Sequence, residues 1–87
     1  SSNSFSMELY PNPARGAVQL RFESTHSGTA DIRLLDLTGK EVQALQRDTE
    51  NGENNLSLPL DGLASGLYFV QIHLNGEVYR SKLWVQN

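Results

Sequence analysis

The 87 residues contain no cysteine, which excludes a disulfide framework and any thiolate metal site and leaves the redox compartment open. Long apolar runs are missing too. None approaches the ~20 residues needed to cross a bilayer, so direct membrane insertion is not expected. Ser1 to Ser6 lacks the basic and apolar regions of a signal peptide. Basic residues are few: seven Lys and Arg against ten Asp and Glu give a formal net charge of −3. Charges of both signs are interspersed, which offers no footprint for nucleic acid and no polybasic patch. Helical periodicity is also absent, since no stretch repeats apolar residues at a 3.6-residue spacing for long enough. A chain of this length has room for one domain that buries about 60–65% of its unfolded surface. It begins at Ser1 rather than at a methionine. Residues 1–6 are expected to be the remnant of a polar linker, and residues 7–87 the folded domain.

What is present is a succession of short alternating runs between turn signals. The strongest is Leu63 to Val85, two runs rich in aromatic and β-branched residues joined by Asn75-Gly76. Both loop residues of a type I′ turn need positive φ, and Asn-Gly tolerates it best, so a β-hairpin is predicted here. Its register places Tyr68, Val70, Ile72 and Leu74 with Tyr79, Ser81, Leu83 and Val85 on the core face. Leu67, Phe69, Gln71 and His73 then share the other face with Val78, Arg80, Lys82 and Trp84.

Earlier in the chain, Phe5, Met7 and Leu9 alternate as a first strand would, and Tyr10-Pro11-Asn12-Pro13 is expected to stop it, because proline has no donor for a ladder. Val18, Leu20 and Phe22 mark a second strand, and Ala30, Ile32 and Leu34 a third. Asp36 and Gly39 are turn residues, one as a side-chain acceptor for nearby N–H groups and the other in a left-handed conformation, with Val42 and Leu45 in the return strand. Thr49 to Asn55 reads as a polar loop. Leu56, Leu58 and Leu60 alternate beyond it, and Pro59 demotes that run to an edge strand or a strand end. Leu63-x-x-Gly66-x-Tyr68 resembles a tyrosine corner, in which the hydroxyl ties down the loop before its strand. Together these runs predict an all-β, seven-stranded antiparallel sandwich of immunoglobulin or fibronectin type III character.

Chemistry-bearing constellations are scarce. His26 lies among turn residues and His73 on an outward strand position, without spaced carboxylates, so no metal and no other cofactor is expected. The oxygen-rich run Asp48 to Asn55 lacks the alternating ligands and closing glutamate of an EF-hand. No Gly-x-Ser-x-Gly elbow surrounds Ser65, the ten carboxylates form no recognisable acid/base pair, and Gly-rich phosphate loops are missing. Catalysis is not expected.

Four segments in order carry a family resemblance: Tyr10-Pro11-Asn12-Pro13; Asp36-Leu37-Thr38-Gly39-Lys40-Glu41-Val42; Leu63-Ala64-Ser65-Gly66-Leu67-Tyr68-Phe69-Val70; and Lys82 to Val85. From about Leu9 onward the chain resembles the C-terminal type A sorting domain of the type IX secretion system. The resemblance implies a seven-stranded sandwich that ends an exported protein of a Bacteroidota-type bacterium. It also implies periplasmic transit, an upstream cargo domain, an outer-membrane translocon that reads the domain, and a sortase-like surface peptidase that removes it in the linker. The cargo is then released or held at the surface. Members of that family commonly finish on a basic residue, whereas Gln86-Asn87 follow the last strand here.

A second function class is a carbohydrate-binding or spacer module of a secreted enzyme or adhesin, which would need a line of exposed aromatic side chains. The hairpin register selects a partner surface instead: Leu67, Phe69 and Trp84 outward, Arg80 and Lys82 beside them in position for cation–π contacts, and Val85 at the end of the same strand. A competing expectation is that Trp84 turns into the core through a bulge, or that another segment covers the patch.

Overall fold

The computed structural model describes residues 7–87. The expectations for Phe5 and for the linker 1–6 lie outside the described residues. Seven strands form: β1 (Met7–Arg15), β2 (Ala17–Ser24), β3 (Gly28–Leu35), β4 (Glu41–Thr49), β5 (Gly52–Pro59), β6 (Gly66–Leu74) and β7 (Glu77–Val85). They make two sheets, one from the start of β1 with β2 and β5, the other from β4, β3, β6 and β7. β4 pairs with β3, which departs from the constant-type immunoglobulin arrangement, where the fourth strand lies with the first, second and fifth.

Period-two alternation builds the core. Val18, Leu20 and Phe22 of β2 and Leu58 of β5 face Ala30, Ile32 and Leu34 of β3 and Val70, Ile72 and Leu74 of β6, with Leu83 closing the layer from β7. Each large aliphatic or aromatic side chain buried in this way contributes roughly 1.5–3 kcal/mol. The outward positions between them are mostly polar, which is why one-residue slips of register are disfavoured.

β1 differs from its expectation. The strand does not stop at Pro11; it continues to Arg15, with its register against β2 interrupted between Tyr10 and Arg15. The Pro-Asn-Pro segment carries the chain from one sheet to the other, so that Ala14 pairs in parallel with Val85 of β7. That bridge is the exception in a sandwich whose other pairings are antiparallel. Because β1 serves both sheets, the order β4-β3-β6-β7-β1-β2-β5 is continuous.

The expected polar loop Thr49 to Asn55 is also corrected. β4 runs to Thr49 and β5 starts at Gly52. Asn54 sits opposite Phe22 and is buried. Its side chain accepts from the Glu50 amide at 2.8 Å and donates to the carbonyls of Glu50 and Gly52 at 2.9 and 3.1 Å. A polar residue in a core-facing position is thereby satisfied and replaces a longer loop. Pro59 closes edge strand β5, in the place expected for a residue without a donor.

Candidate functional site

The β6–β7 hairpin has the predicted register without a bulge, from Leu74↔Glu77 through Phe69↔Lys82 to Gly66↔Val85. Asn75 and Gly76 have φ of 54° and 80°, which identifies the type I′ turn. Leu67, Phe69, Arg80, Lys82 and Trp84 therefore share the outer face. Trp84 is 52% exposed, so it neither enters the core nor lies under another described segment. Val85 is the exception among the expected partner residues: at 3% exposure it belongs to the core, because alternation turns it inward.

The register of β3 adds residues that hairpin reasoning missed. Leu35 pairs with Phe69, so a row Leu35–Phe69–Lys82 crosses three strands, next to the pair Leu67–Trp84. Leu37, 65% exposed, projects from the turn that follows Leu35. Two consecutive leucines before Asp36 were the available signal, but only the β3–β6 pairing shows where they go. The guanidinium of Arg80 lies 5.8 Å from the Phe69 ring centroid and donates to Gln71 at 2.8 Å. The expected cation–π contact therefore forms for Arg80. Lys82 has no hydrogen bond, ion pair or ring contact among the described residues.

The outer face of the other sheet is organised differently. Arg21 bridges Glu8 and Glu53 at 3.5 and 3.0 Å, Tyr10 donates to Asn55, and Gln19 donates to Ser57. These groups are paired across the strands. On β3 and β4, Arg33 likewise meets Glu41 and Gln46 meets Asp31. On the outer face of β6 and β7, by contrast, Arg80 and Lys82 have no carboxylate partner among the described residues and stand beside Leu67, Phe69 and the exposed Trp84.

The four sequence segments converge on one pole of the sandwich. Asp36 follows Leu35, which lies beside Phe69; Gly66 and Ala14 both pair with Val85. At the β3–β4 turn, Asp36 Oδ1 accepts from the Thr38 hydroxyl at 2.6 Å and from the amides of Thr38 and Lys40 at 2.9 and 3.0 Å. The Thr38 hydroxyl, with these amides and the Lys40 charge, holds the carboxyl below its ordinary value. Gly39, with φ of 88°, closes the turn. Tyr68 forms the expected tyrosine corner, its hydroxyl donating to the Ala64 carbonyl at 2.7 Å. Asn12 accepts the Trp84 amide at 3.0 Å. Pro11 and Pro13 flank it, exposed, while Leu63 packs against the core edge.

Gln86 and Asn87 complete this pole, a role that sequence reasoning did not find. The Gln86 amide donates to Ala14, and the Asn87 amide group donates to the carbonyls of Leu60 and Leu63, each at 2.8 Å. Asn87 Oδ1 accepts from Gly16, and Ser65 donates to the Asn87 carbonyl. Nothing local marks these two residues as partners of loops more than twenty positions away.

No group of three or more His, Asp or Glu placed to hold a metal occurs among the described residues. At the opposite end of the hairpin, the Tyr79 hydroxyl donates to Glu77 at 2.7 Å, which pushes its pKa up.

Comparison with known proteins agrees with the four segments. Residues 8–86 match the family described as the secretion system C-terminal sorting domain. Karilysin of Tannerella forsythia is 31% identical over 81 residues, covering 86% of this chain and 17% of karilysin, so the chain spans less than a fifth of that relative's length. The family is one of sorting signals, not of catalysts, and its role implies an attached cargo and export to the cell surface or beyond. With motifs, fold and family match in agreement, the chain belongs to the C-terminal sorting domains of the type IX secretion system.

Proposed function

We propose that the sorting signal is read as a folded surface, namely the outer face of β6 and β7 next to the pole where the four segments meet. One observation carries this reading: Leu35, Leu67, Phe69 and Trp84 form an apolar patch rimmed by Arg80 and the unpartnered Lys82, while on the opposite outer face Arg21 is paired with Glu8 and Glu53. An exposed apolar patch with a charged rim is the form of a protein contact site. Its readers are the outer-membrane translocon, met after transit through the periplasm, and the surface peptidase that separates domain from cargo in the linker before residue 7. Residues 7–87 act as the folded address, and the domain itself catalyses nothing. Tyr10, Pro11, Asn12, Pro13, Asp36, Gly39, Lys40, Leu63, Gly66 and Tyr68 shape the pole rather than contact chemistry. The polysaccharide-binding alternative gains nothing here, since Arg80 already occupies one face of Phe69 and leaves no aromatic line.

The test is a periplasm-targeted reporter produced in a bacterium that has the type IX machinery, with and without this domain at its C-terminus. The fusion is expected at the surface or in the medium. Equal export of both reporters contradicts the reading.

A further inference from the structure

The edge of β7 offers more than side chains. In the type I′ hairpin, Leu74 and Glu77 face each other as a hydrogen-bonded pair, so Glu77, Tyr79, Ser81 and Leu83 turn their amides and carbonyls toward β6. Val78, Arg80, Lys82 and Trp84 turn theirs to the other side. The geometry at Trp84 agrees, because its amide reaches away from β6 to Asn12. β1 joins that side only at Ala14↔Val85. From Val78 to Lys82 no described strand covers the edge, and Val78 is itself 53% exposed.

Charge selects the occupant. Arg80 and Lys82 rise from this edge at alternate positions on the same face, and neither meets a carboxylate among the described residues. A second copy added antiparallel would bring cation against cation, which is unfavourable for directly opposed strand neighbours. Cationic edge residues also serve to block self-pairing. A strand that places carboxylates at alternate positions turns the same two residues into attractive pairs. The other sheet edges lack this combination: β5 ends at Pro59, and β4 alternates sign at Arg47 and Asp48 and begins with a bulge opposite Leu35.

We propose that the β7 edge takes an extended acidic segment of a protein partner by strand addition, with main-chain hydrogen bonds at Val78, Arg80 and Lys82, carboxylates opposite Arg80 and Lys82, and an apolar residue over Trp84. Strand addition rests on the reading of this face given above and names how a partner holds it. The Asn12 side chain sets the limit of the added strand, since it already occupies the Trp84 amide.

Amide hydrogen exchange of the labelled domain tests this with two synthetic probes, acetyl-Val-Thr-Glu-Thr-Glu-Thr-Val amide and its counterpart with lysine in place of glutamate. In the free domain, Val78, Arg80 and Lys82 are expected to exchange fast and Tyr79 and Ser81 to be protected, as the register requires. The glutamate peptide is expected to abolish the fast exchange at the first three amides, and the lysine peptide to leave it unchanged. A domain carrying Arg80→Glu and Lys82→Glu is expected to reverse that preference. Unchanged exchange with the glutamate peptide, equal protection by both peptides, or self-association through β7 overturns strand addition. If surface substitutions abolish reporter export while the glutamate peptide leaves the three amides exposed, strand addition fails and the surface reading stands. If the peptide is bound while those substitutions export normally, strand addition stands and the surface reading fails.

Discussion

The side-chain oxygen of Asn12 accepts the backbone N–H of Trp84 at 3.0 Å, so a residue of the first strand completes the edge of the last. The Pro-Asn-Pro segment is therefore a junction between sheets as well as a change of direction. Asn12→Ala is expected to lower stability by ~0.5–1.5 kcal/mol, the usual contribution of one such bond, and to speed exchange of the Trp84 amide. Asn12→Asp, which keeps the acceptor, is expected to retain most of that protection. Denaturant unfolding and amide exchange read the two effects, and an unaltered Trp84 amide in Asn12→Ala contradicts the assignment.

Gly39 and Gly76 close the β3–β4 and β6–β7 turns with φ of 88° and 80°, and a Cβ at either position would meet no neighbouring atom within 4 Å. The penalty for a side chain is thus conformational and not steric crowding by the rest of the fold. Replacing either with valine is expected to cost on the order of 1–2 kcal/mol, measurable as a lower melting temperature. Unchanged melting of both variants would remove the basis for the turn assignments.

Asp36 supplies a pH dependence. The Thr38 hydroxyl, ahead of the Lys40 and Thr38 amides and the Lys40 charge, lowers its folded pKa. A depressed folded value means that ionised Asp36 stabilises the turn above its unfolded pKa of about 3.9, and that this contribution is lost as pH falls through the folded value. The difference in melting temperature between the native domain and Asp36→Asn is expected to be fully present near neutral pH and to shrink in acid below about pH 4. Parallel pH profiles for the two proteins would show that the carboxylate charge is not involved.

The parts of the fold that were legible are those with local causes. Asn75-Gly76 dictated a turn, the turn dictated register, and register placed Tyr68 in the core and Trp84 outside it. Tyr68 meets Ala64 in the corner that the local pattern Leu63-x-x-Gly66-x-Tyr68 announces. Long-range effects were not legible. Pro11 and Pro13 announce an interrupted ladder, but whether the chain ends a strand or changes sheets depends on a partner seventy residues away. Asn54 reads as a loop residue until the Phe22 pairing shows it buried under its own turn. Within the candidate surface, the hairpin residues could be named from alternation, whereas Leu35 joined them only through β3. Val85 was grouped with them by its place in the motif, although alternation alone turns it inward.

Export of a reporter fused to the domain carrying Trp84→Ala and Lys82→Ala tests the recognition surface most directly. Trp84 is half exposed and Lys82 has no partner, so the double variant is expected to unfold within about 1 kcal/mol of the native domain. With folding verified by circular dichroism and thermal melting, the reporter is expected to remain in the periplasm. Export at the native level by this well-folded double variant would contradict the account.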